Sequence, residues 1–139
     1  MHRVDVHENG DMDRDDVMRW VARYEHAWRA GDLDAAVDIF SADAQYRPSP
    51  YEDPMIGHAA IRAFWLDDDD DVFTMDASPV AVEGRDAVVR VEVRYGEPVR
   101  QEYRDLWVLR FDDDGRVEDF EEWAYWPDKP YYASQRATP

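Results

Sequence analysis

An aspartate that falls among aromatic residues is the first side chain of this sequence suited to chemistry. Across residues 99–111, polar and apolar residues alternate as they do in a half-buried strand. Trp107 and Leu109 identify the buried face, and Asp105 and Tyr103 share it. Burial raises the pKa of a carboxyl group, which suits it to proton transfer near neutral pH. The pattern predicts Asp105 as a general acid or base; the alternative is a structural acid hydrogen-bonded to a tyrosine or a tryptophan.

Other common catalytic groups are missing from the sequence. It has no cysteine, which excludes thiol catalysis, disulfides and zinc–thiolate sites. No two of its four histidines have the spacing of a metal site, and no serine lies in a histidine–acid context. The five aspartates at 67–71 lack the alternating ligands and central glycine of a calcium loop, so a solvated loop is the preferred interpretation. We expect neither a metal nor a cofactor.

The charge of the chain limits its partners. Its 33 acidic and 16 basic residues give a formal net charge of −17, which repels nucleic acid and anionic membranes. No apolar run approaches the roughly 20 residues that span a bilayer. The polar, acidic N-terminus is unlike a signal peptide. These features predict a cytoplasmic protein with no nucleic-acid or membrane partner.

The elements that must position Asp105 change period halfway along the chain. Helical spacing predicts one helix from Arg14 to a stop at Gly31, a second that Asp32 caps and that reaches Phe40, and a third after Gly57. In the third helix the residues expected to face inward are Ile61, Phe64 and Trp65.

The second half of the chain alternates with a period of two. It predicts strands over residues 72–82, with an interruption near Pro79, and over residues 87–95, 99–111 and 116–126. Helices followed by a meander make an α+β domain in which the helices cover one face of the sheet. We place this domain at residues 13–127, between a mobile acidic tail at 1–12 and a C-terminal tail at 128–139.

Four short motifs carry a resemblance to a known family. They are RYEHAWRAGDLDAAVDIFSADAQY at 23–46, GHAAIR at 57–62, RFDDDGRV at 110–117 and WAYWP at 123–127. In this order they resemble the nuclear transport factor 2-like superfamily, and within it the SnoaL-like domains related to polyketide cyclases and ketosteroid isomerases. The resemblance implies a cone-shaped α+β fold, with three N-terminal helices packed on a curved, mainly antiparallel sheet. It also implies a pocket between the helices and the concave face of the sheet.

Carried over residue by residue, the resemblance to the isomerases is incomplete. Tyr24 matches the tyrosine that donates a hydrogen bond to the substrate oxyanion. The general-base aspartate falls on Pro48, which cannot take a proton, and the second oxyanion donor falls on Trp107. Steroid isomerisation by the isomerase mechanism is therefore not expected.

The same alignment adds a second acid and the walls of the pocket. It places Glu122 on the concave side of the last strand, so that Asp105 and Glu122 project from adjacent strands as one protonated and one ionised carboxyl. The alternative for Glu122 is a solvated rim residue. Flat aromatic walls suit a flat apolar ligand. The residues expected to bind it are Tyr46, Tyr103, Trp107, Trp28, Trp65 and Phe120.

Together these observations predict a cofactor-free enzyme of the SnoaL-like type. It would isomerise, cyclise or dehydrate a hydrophobic cyclic small molecule, with Asp105, Tyr24 and Glu122 as catalytic residues. One alternative is a non-catalytic small-molecule-binding or protein-interaction domain of the same fold. The other is an epoxide hydrolase, as in relatives of limonene epoxide hydrolase, which would need an arginine beside Asp105. Arg104 points outward in a regular strand.

The outward face of the sheet predicts the assembly. An isolated monomer gains little from apolar side chains in water, and members of this fold commonly pair through that face. We therefore expect a homodimer. The apolar residues of the face are Leu106, Val108, Trp123 and Tyr125.

Overall fold

The computed structural model describes residues 11–66 and 72–127. Residues 1–10 of the tail predicted at 1–12, the C-terminal tail at 128–139 and the aspartate run at 67–71 lie outside the described residues. Three helices and six strands occur in the described parts. The helices are α1 (Arg14–Ala30), α2 (Leu33–Asp38) and α3 (His58–Leu66); the strands are β1 (Phe40–Arg47), β2 (Met55–Ile56), β3 (Phe73–Glu83), β4 (Asp86–Tyr95), β5 (Gln101–Phe111) and β6 (Val117–Tyr125).

Helix α1 begins and ends where its sequence provides caps. The Asp13 carboxylate accepts a hydrogen bond from the Asp16 N–H at 2.8 Å, and the Asp16 carboxylate accepts one from the Asp13 N–H at 3.0 Å. Each carboxylate thus satisfies a backbone donor that the first turn leaves without a helical partner. Gly31 closes the helix with a φ of 65°, which favours glycine. The bounds predicted from the sequence are confirmed.

The strands form one curved, mixed sheet in the order β2-β1-β6-β5-β4-β3. All neighbours pair antiparallel except β1 and β6, which are parallel. The register between β3 and β4 shifts between Pro79 and Ala81, which agrees with the interruption predicted near Pro79. The α+β architecture, with three helices and a mainly antiparallel sheet, is as predicted.

The junction between α2 and β1 differs from the prediction. The sequence pattern extends the second helix to Phe40, whereas α2 ends at Asp38 and Phe40 opens β1 opposite Val117. The Val117 N–H donates to the Ile39 carbonyl at 3.0 Å, so pairing with β6 replaces the last helical turn. Phe40 is fully buried in this extended conformation, so its apolar character fits either assignment.

Trp20 of α1 lies at the centre of the core between the helices and the concave face of the sheet. Its indole N–H donates to the Ile39 carbonyl at 2.8 Å, which satisfies the polar atom of a buried ring. The ring packs edge-on against Phe40, Trp107 and Phe111, with centroids 5.6, 6.4 and 6.0 Å away. Met12, which the sequence pattern assigned to the tail, is also buried, and its N–H donates to the Gly84 carbonyl at 2.7 Å.

Helix α3 buries one side and leaves the other at the edge of the core. Ile61 and Trp65 are buried as predicted, but Phe64 is 40% exposed. Phe64 lies about 100° around the helix from Trp65, and its ring is at the edge of the core, where it lines a cavity. The ring of Phe64 packs on Tyr46 with centroids 5.4 Å apart.

Candidate functional site

A cavity of about 430 Å³ lies between helices α1 and α3 and the concave face of the sheet. Its inner wall comes from alternate residues of β4, β5 and β6, because successive side chains of a strand point to opposite faces. The described residues that line it are Tyr24, Trp28, Tyr46, Pro48, Phe64, Trp65, Val93, Tyr95, Arg100, Gln101, Tyr103, Asp105, Trp107, Glu122 and Ala124.

The structure brings eight of the nine predicted site residues to this cavity. The exception is Phe120, which was predicted to contact a ligand but lies behind the wall, 1% exposed. Its ring is stacked on Tyr46 at 4.5 Å and 8°, and it is parallel to Tyr24 at 5.9 Å and 5°. Phe120 therefore supports the two tyrosines instead of touching the cavity, a distinction that alternation along β6 cannot make.

Asp105 lies in the buried part of the wall, 6% exposed. Its neighbours across the sheet are Val91 on β4 and Ala124 on β6, so no opposite charge is next to it in register. Loss of solvent raises the pKa of Asp105 above its ordinary value of 3.8, and contacts from the side chains of Glu122 and Trp107 lower it in part.

Two polar atoms in this part of the wall lack hydrogen bonds. Asp105 Oδ1 and Trp107 Nε1 are buried, and neither has a partner of acceptable hydrogen-bond geometry among the described residues. The Trp107 side chain is close enough to Asp105 to lower its pKa, although its N–H does not complete a hydrogen bond to the carboxylate. A buried polar atom without a partner costs free energy, and such atoms are found at sites that bind ligands or change protonation.

Asp105 and Glu122 form a carboxyl pair. Glu122 faces Trp107 in the register of β5 and β6, is half-buried, and contacts the Asp105 carboxyl. Two carboxyl groups in contact titrate as a pair, and burial is what raises the pKa of Asp105 within it. One neutral and one ionised carboxyl can donate a proton and accept another during one reaction.

Two phenol groups complete the polar part of the cavity. The hydroxyl oxygens of Tyr24 on α1 and Tyr46 on β1 are 3.3 Å apart, and both side chains are buried. A phenol hydroxyl can both donate and accept a hydrogen bond. The pair can therefore present a hydroxyl to an oxygen atom of a ligand.

The two arginines near the start of β5 take opposite sides of the sheet. Arg104 is on the outer face with its side chain 70% exposed, and its Nε donates to Glu102 Oε2 at 3.3 Å, as a regular strand predicts. Arg100 is four residues earlier and would be on the same face in a regular strand, but it lines the cavity. It precedes the first residue of β5 and belongs to the turn that follows β4, so strand alternation does not govern it.

Several wall residues were not identified as site residues from the sequence. Val93 and Tyr95 share the inner face of β4, and the alternation of that strand was the signal that could have found them. Arg100 and Gln101 lie at a turn, where no periodicity applies. The full set is Pro48, Phe64, Val93, Tyr95, Arg100, Gln101 and Ala124.

Neither metal ligation nor membrane insertion has support in the described residues. Residues 11–66 and 72–127 contain no group of three or more histidine or acidic side chains that could hold a metal ion. Within the same residues, no helix is long and apolar enough to cross a membrane.

Comparison with known proteins gives a family and a fold. A family model described as a SnoaL-like domain matches residues 21–120, more than half of the chain. No curated protein sequence matches the sequence of this chain.

Solved structures with the same fold are numerous. The epoxide hydrolase/cyclase-like enzyme SalBIII, described in pyran ring formation in the polyether salinomycin, is 19% identical with a TM-score of 0.69, over 81% of this chain and 93% of that one. A proposed ketosteroid isomerase from Kribbella flavida is 15% identical with a TM-score of 0.65, over 91% and 90%. An NTF-2 like protein from Burkholderia xenovorans is 15% identical with a TM-score of 0.66, over 90% and 94%. At these identities the likeness concerns the fold.

Proposed function

This chain belongs to the family of SnoaL-like domains, as its motifs predicted, and we propose that it is a cofactor-free enzyme that uses acid–base catalysis. Its substrate would be a hydrophobic cyclic small molecule, and its reaction an isomerisation, a cyclisation or a dehydration. One observation carries the proposal: Asp105 is a buried acid with a raised pKa at the wall of a large cavity, in contact with a second carboxyl. Perturbed acids in cavities are frequent at functional sites.

The walls support a ring-shaped, mainly apolar substrate. Aromatic side chains enclose the cavity from α1, α3 and the sheet, including Trp28, Trp65 and Trp107. A volume of about 430 Å³ lies within the roughly 300–1,000 Å³ of small-molecule sites. Flat rings stack favourably on such walls, and the polar groups between them can fix the orientation of a bound ring.

The polar groups suggest a division of roles. Asp105 would take a proton from a carbon or a hydroxyl of the substrate, or return one to it, and Glu122 would be the other carboxyl of the pair, neutral when Asp105 is ionised and ionised when Asp105 is neutral. Tyr24 and Tyr46 would bind a substrate oxygen that gains negative charge. Donors placed where charge develops stabilise a transition state, and a general acid or base contributes about 10²–10⁴-fold to a rate.

A ligand screen followed by product analysis tests the proposal. Cyclic ketones, polyketide-like phenols, terpenoid epoxides and steroids are screened by thermal stabilisation, and each hit is incubated with protein and examined by mass spectrometry. Wild type is compared with Asp105→Asn, and Asp119→Asn on an exposed site of β6 serves as the control. Product from wild type and the control, but not from Asp105→Asn, supports the enzyme.

The same experiment distinguishes the non-catalytic alternative. A binding module would bind its ligand with and without the Asp105 carboxyl and would release no product. Hits bound equally by wild type and Asp105→Asn, with no product from either, would contradict catalysis and favour a carrier or a sensor.

We do not extend the proposal to epoxide hydrolysis. Epoxide hydrolysis would require an arginine beside Asp105, and Arg100, the arginine that lines the cavity, precedes β5 by one residue and Asp105 by five. Arg104 is engaged with Glu102 on the opposite face of the sheet.

We further propose a homodimer formed through the outer face of β5 and β6. Leu106 and Trp123 are directly opposite each other in register and are 39% and 41% exposed. Val108 and Tyr125 extend the same patch, 39% and 52% exposed. A contiguous apolar patch of this kind is typical of an interaction surface. A cytoplasmic location stays a prediction.

A further inference from the structure

The cavity has opposite charges at its two ends. Asp105 is 6% exposed in the deep wall, whereas Arg100 is exposed at the mouth. Arg100 is the one basic residue among the described residues that line the cavity. Three half-buried cavity residues, Tyr95, Gln101 and Tyr103, lie near Arg100 at the end of the β4–β5 hairpin.

The backbone holds Arg100 at this position. Its N–H donates to the Tyr95 carbonyl at 3.0 Å, which closes the turn between β4 and β5. Gly96 in that turn has a φ of 94°, and a Cβ atom there would lie 3.0 Å from Arg100 Nη1. The glycine therefore permits both the turn and the passage of the arginine side chain over it.

The separation of the two ends defines the length of a ligand that reaches both. Arg100 is five positions before Asp105, and a fully extended chain over that interval sets an upper bound of about 17 Å on the distance between their Cα atoms. After allowance for the two side chains, the space between their polar groups is on the order of 10 Å. Two or three fused rings fill such a distance, and the wall between the ends is mainly aromatic.

We propose that the ligand of this cavity is a ring compound with a carboxylate, and that Arg100 binds the carboxylate at the mouth while the ring occupies the aromatic chamber. This inference rests on the proposed function for the identity of the cavity as the substrate site. The inference adds the orientation of the ligand. Its carboxylate faces the mouth of the cavity, and the opposite end of its ring system reaches Asp105 and Glu122.

The charges of the protein support this orientation. Asp105 and Glu122 in the deep wall repel an anionic group, and a chain with a formal net charge of −17 repels it elsewhere on the surface. A guanidinium matches a carboxylate with two parallel hydrogen bonds. Arg100 also interacts within the protein, and its five N–H donors allow it to serve more than one acceptor.

The test separates the contribution of the acid group from that of the ring. Isothermal titration calorimetry measures the binding of 2-naphthoic acid and anthracene-2-carboxylic acid, each beside its methyl ester, to wild type, Arg100→Gln and Arg104→Gln. Both substitutions change the net charge equally, and Arg104 is on the opposite face of the sheet. Circular dichroism verifies that each variant is folded.

We expect the ratio of the ester Kd to the acid Kd to fall about 5–10-fold in Arg100→Gln, the scale of a partly solvated charge-assisted hydrogen bond. Arg104→Gln should keep the wild-type ratio. An unchanged ratio in Arg100→Gln, or an equal loss in both variants, would show that Arg100 does not bind the carboxylate. The proposed function would remain intact. Failure of all four ring compounds to bind wild type would instead count against the apolar ring site itself, and it would also contradict the binding of a carboxylate by Arg100.

Discussion

Both faces of β5 and β6 carry carboxylates, but the partners of these carboxylates differ between the inner and the outer face. On the outer face, carboxylates have arginine partners: Glu102 contacts Arg104 at 3.3 Å, and Glu118 contacts Arg110 at 3.0 Å. On the inner face, the carboxyl that Asp105 contacts is Glu122, and no arginine shifts its pKa. Paired charges in water contribute little to stability and little to chemistry. Burial raises the pKa of Asp105, so its surroundings and not its residue type suit this carboxyl to proton transfer.

The largest expected effect is on turnover. Asp105→Asn keeps the shape of the side chain but removes the titrating group from the inner face. If a substrate is found, we expect kcat to fall about 10²–10⁴-fold with KM nearly unchanged, because proton transfer is lost and ring binding remains. Glu102→Gln on the outer face should leave kcat unchanged. Equal losses in both variants would mean that the two faces do not differ in chemistry.

The next effect is on stability. Trp107 is 2% exposed and packs against Tyr24 at 4.5 Å and Phe120 at 5.2 Å, whereas its neighbour Leu106 on the outer face is 39% exposed. We expect Trp107→Ala to lower the free energy of unfolding by about 3–5 kcal/mol. Leu106→Ala should lower the free energy of unfolding of the monomer by less than about 1 kcal/mol. Urea denaturation at low protein concentration measures both, and similar losses would contradict the assigned burial.

The outer face is tested by its assembly. Trp123→Glu places a charge in the proposed interface, and an interfacial aromatic residue commonly contributes more than about 2 kcal/mol to association. We expect the variant to elute as a monomer under conditions in which wild type is a dimer, as measured by size-exclusion chromatography with light scattering. Tyr51→Glu changes a fully exposed aromatic residue away from the sheet and should leave the mass unchanged. A monomeric wild type would contradict the homodimer.

The smallest effect is on the pH dependence of stability. The folded-state pKa of Asp105 is raised above 3.8, so the folded protein binds this proton more tightly than the unfolded chain. This contribution to stability is fully present below pH 3.8 and is lost as the pH rises through the raised value.

We therefore expect Asp105→Asn to be more stable than wild type at pH 7 by about 1 kcal/mol, the scale of an incompletely satisfied buried polar group. The advantage should shrink as the pH falls toward 3.8. Thermal unfolding at a series of pH values measures it, with the exposed Asp119→Asn as a reference. An advantage that grows as the pH falls would have the wrong sign.

The sequence alone located most of the deep wall because β5 alternates without ambiguity. Asp105 and Trp107 followed from that pattern, whereas Glu122 required the family alignment. Trp123 and Tyr125 on the outer face of β6 are as apolar as its inner residues, so alternation along that strand does not distinguish its two sides.

What the sequence did not locate depends on contacts between distant segments. Phe40 opens a strand because β6, more than 70 residues later, pairs with it. Arg100 reaches the cavity because a turn, not a strand, sets its direction. Phe120 is hidden behind two tyrosines that come from α1 and β1. Local periodicity carries no information about such arrangements.

The tryptophans of the cavity wall give this protein an optical consequence. Trp28, Trp65 and Trp107 line the cavity, whereas Trp123 and Trp126 are at least 36% exposed. Indole emission moves to shorter wavelength when water leaves the ring, and an aromatic ligand in contact quenches it. Occupation of the cavity should therefore change the blue part of the intrinsic fluorescence and leave the red part unchanged, so that ligands can be found by light emission with no label attached.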